Sequence, residues 1–214
     1  MLPESILMQP DPQPLLLVIA GPNGAGKSSL RALLLPEGSF PFVNPDEVAR
    51  HFFGAAAEDA SYEAADIAAA VRDILLRHRR SFGFETVLSD PVGHKVQELT
   101  AAQASGYQVA VHFVGIGSAE LSRLRVFQRV EQGGHDVPDD KVAARYARVM
   151  ANLHRLLPIP DELVIYDNSS PDTPFRRLAL LQRGQLRELS RELPSWVAFL
   201  DLPSRVNPNT AFLP

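Results

Sequence analysis

No other stretch of this 214-residue chain limits its fold as much as Gly21-Pro22-Asn23-Gly24-Ala25-Gly26-Lys27-Ser28. The segment fits the pattern G-x-x-x-x-G-K-[ST] at every fixed position. Before it runs Leu15-Leu16-Leu17-Val18-Ile19-Ala20, an unbroken apolar stretch that reads as a buried strand. After it runs Ser29-Leu30-Arg31-Ala32-Leu33-Leu34-Leu35, which reads as a helix. Strand, loop and helix form the context that a phosphate-binding loop needs. In such a loop backbone N–H groups turn inward around anionic oxygens, and glycines leave room for that approach. The helix starting near Lys27 adds the positive end of its dipole. Lys27 supplies a mobile cation for the terminal phosphates, and the Ser28 hydroxyl can hold Mg²⁺. Residues Gly21 to Ser29 are therefore the expected nucleotide-binding set, with ATP or GTP and Mg²⁺ as the expected cofactors.

Composition narrows the class by exclusion. A chain without cysteine has no disulfide, no thiolate zinc site and no cysteine nucleophile. The net charge of −4 lacks the basic excess of a nucleic-acid binder, so nucleic acid is not an expected partner. Residues 1–13, which include Pro3, Pro10 and Pro12, read as a flexible arm. They have no basic start, and the apolar run after them is too short for a signal peptide or a membrane span. A cytoplasmic enzyme with no membrane partner is the expectation.

Along the chain, apolar runs alternate with helical periodicity. Phe40–Asn44 reads as a second strand and Ser61–Arg80 as a helix. Phe84–Leu88 reads as a strand, Val92–Ser105 as a helix and Tyr107–Val114 as the clearest strand of the chain. Ser118 caps a helix running to Glu131, and Gly133-Gly134-His135-Asp136-Val137-Pro138 breaks it as a lid or elbow would. Asp139–Leu157 reads as a further helix and Glu162–Asp167 as a strand. Arg177–Gln182 and Gln185–Leu189 flank Arg183-Gly184 and predict a hairpin. Pro194–Leu200 reads as a short helix. The expected fold is α/β, a P-loop NTPase or kinase-like parallel sheet flanked by helices. A single domain over residues 14–214 is expected, with a C-terminal β-hairpin extension from about residue 174.

The loop alone selects no reaction. Asp46, just past the second strand, can accept a proton from a substrate hydroxyl that attacks the γ-phosphate. The competing reading makes Asn44 or Asp46 the cap of a helix beginning near Glu47. Glu85 and Thr86 lie on the third strand, where a buried carboxylate needs a partner. Lys27, Mg²⁺ through water, and a substrate hydroxyl all qualify, and Asp90 is a weaker candidate for the same pocket. Arg125 and Arg129 share one helical face. Leu121, Leu124, Phe127 and Val130 are expected to form the core side of that helix. Arg145 and Arg148 follow on the next helix, and either pair can neutralise transferring phosphoryl oxygens or form a solvated basic face. His135 can reach phosphate or sit exposed in its turn. The His51-Phe52-Phe53 cluster is expected to pack in the core.

With these residues in view, the chain resembles the zeta toxin family of small-molecule kinases, in its freestanding Gly-Gly-His-Asp-Val-Pro branch. The resemblance rests on the phosphate loop, Val43-Asn44-Pro45-Asp46, Phe84-Glu85-Thr86-Val87-Leu88-Ser89 and Gly106-Tyr107. It continues through Arg125-Val126 to Arg129-Val130, residues Gly133 to Pro138, Arg145-Tyr146 and Tyr166-Asp167-Asn168-Ser169. It implies transfer of the γ-phosphate of ATP or GTP to a hydroxyl of a UDP-amino sugar such as UDP-N-acetylglucosamine. It further implies Asp46 as base, with arginines around the lid (Arg125, Arg129, Arg145) clamping the phosphate. Glu85 then binds the substrate, with Thr86, Asn44 and His135 in the same set. An antitoxin protein is an implied partner. A nucleoside, a free sugar or an RNA end as acceptor, or a nucleotide-controlled interaction module, remain the alternatives.

Overall fold

The computed structural model describes residues 10–36, 38–54, 60–131 and 139–214. Most of the expected N-terminal arm and the whole Gly133–Pro138 lid, His135 included, lie outside these residues. The described part of the arm is tied down. The Asp11 carboxylate accepts from the Ser81 backbone N–H at 2.6 Å and pairs with Arg80 at 3.5 Å.

Strand β1 (Leu15–Ala20) takes both its faces into the interior, as its unbroken apolar run requires. Helix α1 (Lys27–Leu34) follows, then β2 (Phe42–Val43), α2 (Pro45–Phe53), α3 (Ser61–Arg77), β3 (Phe82–Thr86), α4 (His94–Ala104) and β4 (Gln108–Gly115). Next come α5 (Ala119–Glu131), α6 (Asp139–Leu156) and β5 (Glu162–Asp167). The eight strands form one sheet in the order β2-β3-β1-β4-β5-β6-β7-β8, with β6 (Arg176–Gln182), β7 (Gln185–Ser190) and β8 (Ala211–Leu213) at one end. The first five strands in this order run parallel, so β1 is the middle strand of the parallel part. The phosphate loop leaves its C-terminal end, where open α/β sheets bind ligands.

The predicted hairpin is present and is not a separate appendage. β6 pairs antiparallel with β5 and with β7, so the hairpin extends the main sheet. Its turn places Arg183 at φ 48 and Gly184 at φ 75, both left-handed, which fits a two-residue connection between twisted strands. Two short 3₁₀ helices, Ser195–Leu200 and Leu202–Arg205, then return the chain to the sheet.

Alternation along the strands assigns the two layers. Leu16, Val18, Val109, Val111, Phe113, Leu163 and Ile165 point to one face. There they meet Leu99 of α4, Val149 and Leu153 of α6, and Trp196 and Leu202 of the C-terminal segment. Ile19 and Val114 point to the other face and pack with Ala25, Leu30 and Ile116 beneath the phosphate loop.

Three expectations are corrected. β3 begins and ends two residues earlier than its apolar run suggested. Its end is fixed because the Leu88 N–H turns back to the Thr86 hydroxyl, with Leu88 at φ 60. The His51-Phe52-Phe53 cluster does not pack in the core: His51 is exposed and Phe52 is 64% exposed. α2 buries Ala49 instead, and Phe52 lines an open cleft of about 370 Å³ with Phe42, Val48 and Val71. Finally, Leu124 and Phe127 do not face the core, being 51% and 59% exposed. The inner face of α5 carries Ser122 and Val126, because the surface it covers is the polar phosphate loop.

Candidate active site

The phosphate loop joins β1 to α1. Gly24 and Gly26 sit at φ 69 and φ 93, conformations that an L side chain resists. Space forbids one as well. A Cβ on Gly24 would lie 2.9 Å from the Ser122 carbonyl oxygen, and one on Gly26 would lie 2.7 Å from Asn168 Nδ2. The Gly21 N–H donates to the Thr86 carbonyl at 3.3 Å, which anchors the start of the loop to β3. The first turn of α1 presents its unpaired N–H groups and its dipole toward the same space. Ser28 and Ser29 are exposed on that turn.

Lys27 lies inside the loop and its ammonium donates to the Pro22 carbonyl at 3.1 Å. Burial lowers the Lys27 pKa to about 8. Arg129 pushes in the same direction, while Glu85 and Asp46 oppose it. The four charged groups singled out in the sequence therefore share one electrostatic field. Glu85, half-buried near the end of β3, accepts from the Ser28 hydroxyl at 3.0 Å through Oε2. Burial holds its carboxyl above the ordinary value, and Asp46 adds to that. Lys27, the Ser28 hydroxyl and Arg31 pull the other way. Two buried polar atoms here, Asn23 Oδ1 and Glu85 Oε1, have no partner among the described residues.

The competition between Asn44 and Asp46 resolves by division. Asn44 is the cap: its side chain accepts from the Asp46 N–H at 2.9 Å, with Pro45 at the first helical position. The Asp46 carboxylate is left exposed at the mouth of the site. Glu47 of the same turn pairs with Arg31 of α1, whose guanidinium lies 4.4 Å above the Phe42 ring.

Other predicted residues have structural partners. Thr86 holds the Leu88 N–H. Asp90 caps α4, accepting from the His94 N–H at 2.5 Å. Arg125 donates to the Asn168 and Ser169 carbonyls at 2.6 and 3.1 Å. Arg145 is half-buried on α6 beside Tyr146, whose hydroxyl donates to the Ile116 carbonyl at 2.8 Å. Arg148 donates to the Ser89 carbonyl at 2.7 Å. Sequence reasoning overlooked Ser122 and Asn168, which touch the phosphate loop directly. Their signal was faint: Ser122 is a polar residue spaced four from Val126 on a helix face, and Asn168 closes a strand.

A parallel sheet with this loop at the end of its middle strand defines a P-loop nucleotide-binding protein. The zeta toxin family profile matches residues 3–173. The chain belongs to the zeta toxin family. Among solved structures it is similar to a chain of the PezAT chromosomal toxin–antitoxin system of Streptococcus pneumoniae. That likeness has 18% identity and a TM-score of 0.59, covering 80% of this chain and 72% of that one. It is also similar to a chain of the AvrRxo1-ORF1:ORF2 complex with ATP, at 18% identity and a TM-score of 0.64. That match covers 89% of this chain but 63% of the other. An uncharacterised protein of Haemophilus influenzae is 27% identical over 126 residues, 59% of this chain and 88% of its own length. At such identities the structural likenesses establish the fold. The fold and the family are those of nucleotide-dependent kinases. Among the described residues no helix is long and apolar enough to cross a membrane.

Proposed function

We propose that the chain transfers the γ-phosphate of ATP or GTP to a hydroxyl of a small molecule, and that the acceptor is a UDP-amino sugar such as UDP-N-acetylglucosamine. The observation that carries this reading is the convergence of Asp46, Glu85 and Arg129 on Lys27 within the phosphate loop. Asp46 takes the proton of the acceptor hydroxyl. The acceptor oxygen then bonds to the γ-phosphorus as the bond to the β–γ bridging oxygen breaks, and the nucleoside diphosphate leaves. Lys27 and Arg129, with Arg125 or Arg145, are assigned to neutralise the charge that gathers on the transferring group. The loop from Gly21 to Ser29 cradles the nucleotide phosphates.

The residues present fit magnesium. The Ser28 hydroxyl and the Glu85 carboxylate adjoin, and Glu85 Oε1 is buried without a partner among the described residues. The Ser28 hydroxyl would hold the ion, with Glu85 reaching it through water, and the bound ion would neutralise charge on the phosphate oxygens. Glu85, Thr86, Asn44 and His135 are assigned to the acceptor side. The largest buried cluster, which runs from Leu16 to Leu202 and includes the hairpin residues Leu178 and Leu186, supports treating residues 14–214 as one catalytic domain with a hairpin extension. The same reading puts the protein in the cytoplasm, where nucleotide sugars are made. The likeness to a chain of the PezAT toxin–antitoxin system supports an antitoxin partner.

The test is incubation with Mg-ATP or Mg-GTP and a panel of UDP-sugars, nucleosides, free sugars and RNA ends, with mass spectrometry for a gain of one phosphoryl group. Asp46→Ala should lower turnover by about a thousandfold while Mg-ATP binding stays near wild type. Turnover unchanged in that variant overturns the base assignment.

A further inference from the structure

A loop that turns its N–H groups toward an anion must turn its carbonyls away from it. Those carbonyls are buried against the rest of the protein, and each needs a donor. The Pro22 carbonyl accepts from the Ala25 N–H at 3.3 Å and from Lys27, both of the loop itself. The Asn23 and Ala25 carbonyls are served from outside. The Ser122 hydroxyl on α5 donates to the Asn23 carbonyl at 2.6 Å. The Asn168 side-chain amide, just past β5, donates to the Ala25 carbonyl at 2.8 Å.

Asn168 is itself held at every polar atom. Its Oδ1 accepts from the Phe175 N–H at 3.3 Å, and its backbone N–H donates to the Gly115 carbonyl at 2.9 Å. Its carbonyl accepts from Arg125. Three elements thus meet at one residue: the end of β4, the helix α5 and the loop after β5. Arg125 and Ser122 belong to the same helix as Arg129, the cation that acts on Lys27.

We infer that Asn168 and Ser122 are positioning residues for the nucleotide. They hold the Ala25 and Asn23 carbonyls outward, and so keep the loop's N–H groups aimed at the phosphates. Arg125 locks this brace to α5, which sets Arg129 at a fixed height over the same loop. The proposal rests on the loop binding a nucleotide, and it is independent of which acceptor is phosphorylated.

Asn168→Asp keeps the shape and the acceptor to Phe175 but turns a carboxylate oxygen toward the Ala25 carbonyl. Ser122→Ala removes the other donor with little change in volume. The affinity of the full chain for Mg-ATP is measured by calorimetry, and urea unfolding is followed without nucleotide. Asn168→Asp should weaken Mg-ATP binding by about tenfold or more, and Ser122→Ala by about fivefold. The urea midpoint of Ser122→Ala should fall modestly, because the Asn23 carbonyl loses its donor, whereas a merely structural role would leave the Mg-ATP affinity of the folded variant at the wild-type value. Because both act on one loop, the double variant should lose less affinity than the product of the single losses. Wild-type affinity in folded Asn168→Asp overturns the inference. If that variant does not fold, wild-type affinity in Ser122→Ala overturns it instead. A wild-type protein that binds neither Mg-ATP nor Mg-GTP defeats both this inference and the kinase reading. One that binds it but phosphorylates no acceptor defeats the kinase reading alone.

Discussion

Asn152 is the buried side chain that holds two carbonyls of the turn after β3, with Thr86 and Arg148 holding the groups beside them. It is buried on α6, and its amide donates to the Leu88 and Asp90 carbonyls, each at 2.9 Å. Its Oδ1 accepts from Arg155 at 2.9 Å. The backbone leading into the first of those carbonyls is strained, since buried Leu88 sits at φ 60, which costs a non-glycine residue about 1–2 kcal/mol. Such a conformation persists only when its surroundings over-determine it. Asn152→Ala removes two donors at once. The buried Leu88 carbonyl left without a partner costs about 1–3 kcal/mol, and the half-buried Asp90 carbonyl about 1 kcal/mol. The bond to Arg155 reaches toward solvent and adds little. The expected loss is about 2–4 kcal/mol, or a melting temperature lower by about 5–15 °C for a chain of this size. The assay is thermal unfolding followed by circular dichroism and by the fluorescence of Trp196, the sole tryptophan. A fall of less than about 2 °C would refute the reasoning, because the turn would then hold without its amide. Adding Leu88→Gly to the Asn152→Ala background relieves the strain but deletes a buried side chain. Its cost there should be smaller than in the wild type, as the two sites share one turn.

Two further predictions follow from the site and the sheet. The Lys27 ammonium has a folded pKa of about 8 against an ordinary 10.5, so the folded state gives up its proton first. Between those values the unfolded chain holds the proton and the folded chain does not, so stability without nucleotide should rise with pH across that window. Binding of the triphosphate needs the charged form, so Mg-ATP affinity should fall by about tenfold per pH unit above pH 8. Lys27→Arg should flatten that slope, and a flat calorimetric profile in the wild type would sink the argument. At Gly115, an added Cβ would lie 2.0 Å from the Trp196 ring, which also donates to the buried Asp167 carboxylate at 3.0 Å. Gly115→Ala should therefore cost about 3 kcal/mol or more and red-shift the Trp196 emission, whereas an unshifted spectrum would mean the ring is not seated there.

The sequence by itself determined the phosphate loop, the strands on either side of α5 and α6 and the hairpin turn. These are local features. The run Leu15–Ala20, short, apolar and closed by a glycine loop, reads as a buried strand, and Arg183-Gly184 supplies the positive φ values that its turn takes. The sequence also brought forward Lys27, Asp46, Glu85 and Arg129, because phosphate chemistry restricts the residue types that can serve it. Which of Asn44 and Asp46 caps α2 was open until the backbone at Asn44 was seen, since both side chains suit a helix start. Only the tertiary structure decided that α5 turns Ser122 and Arg125 inward and leaves Leu124 and Phe127 outside. Apolar spacing reports a helix's own preference, and here a loop full of outward carbonyls, brought near from a hundred residues away, made polar donors the better inner face.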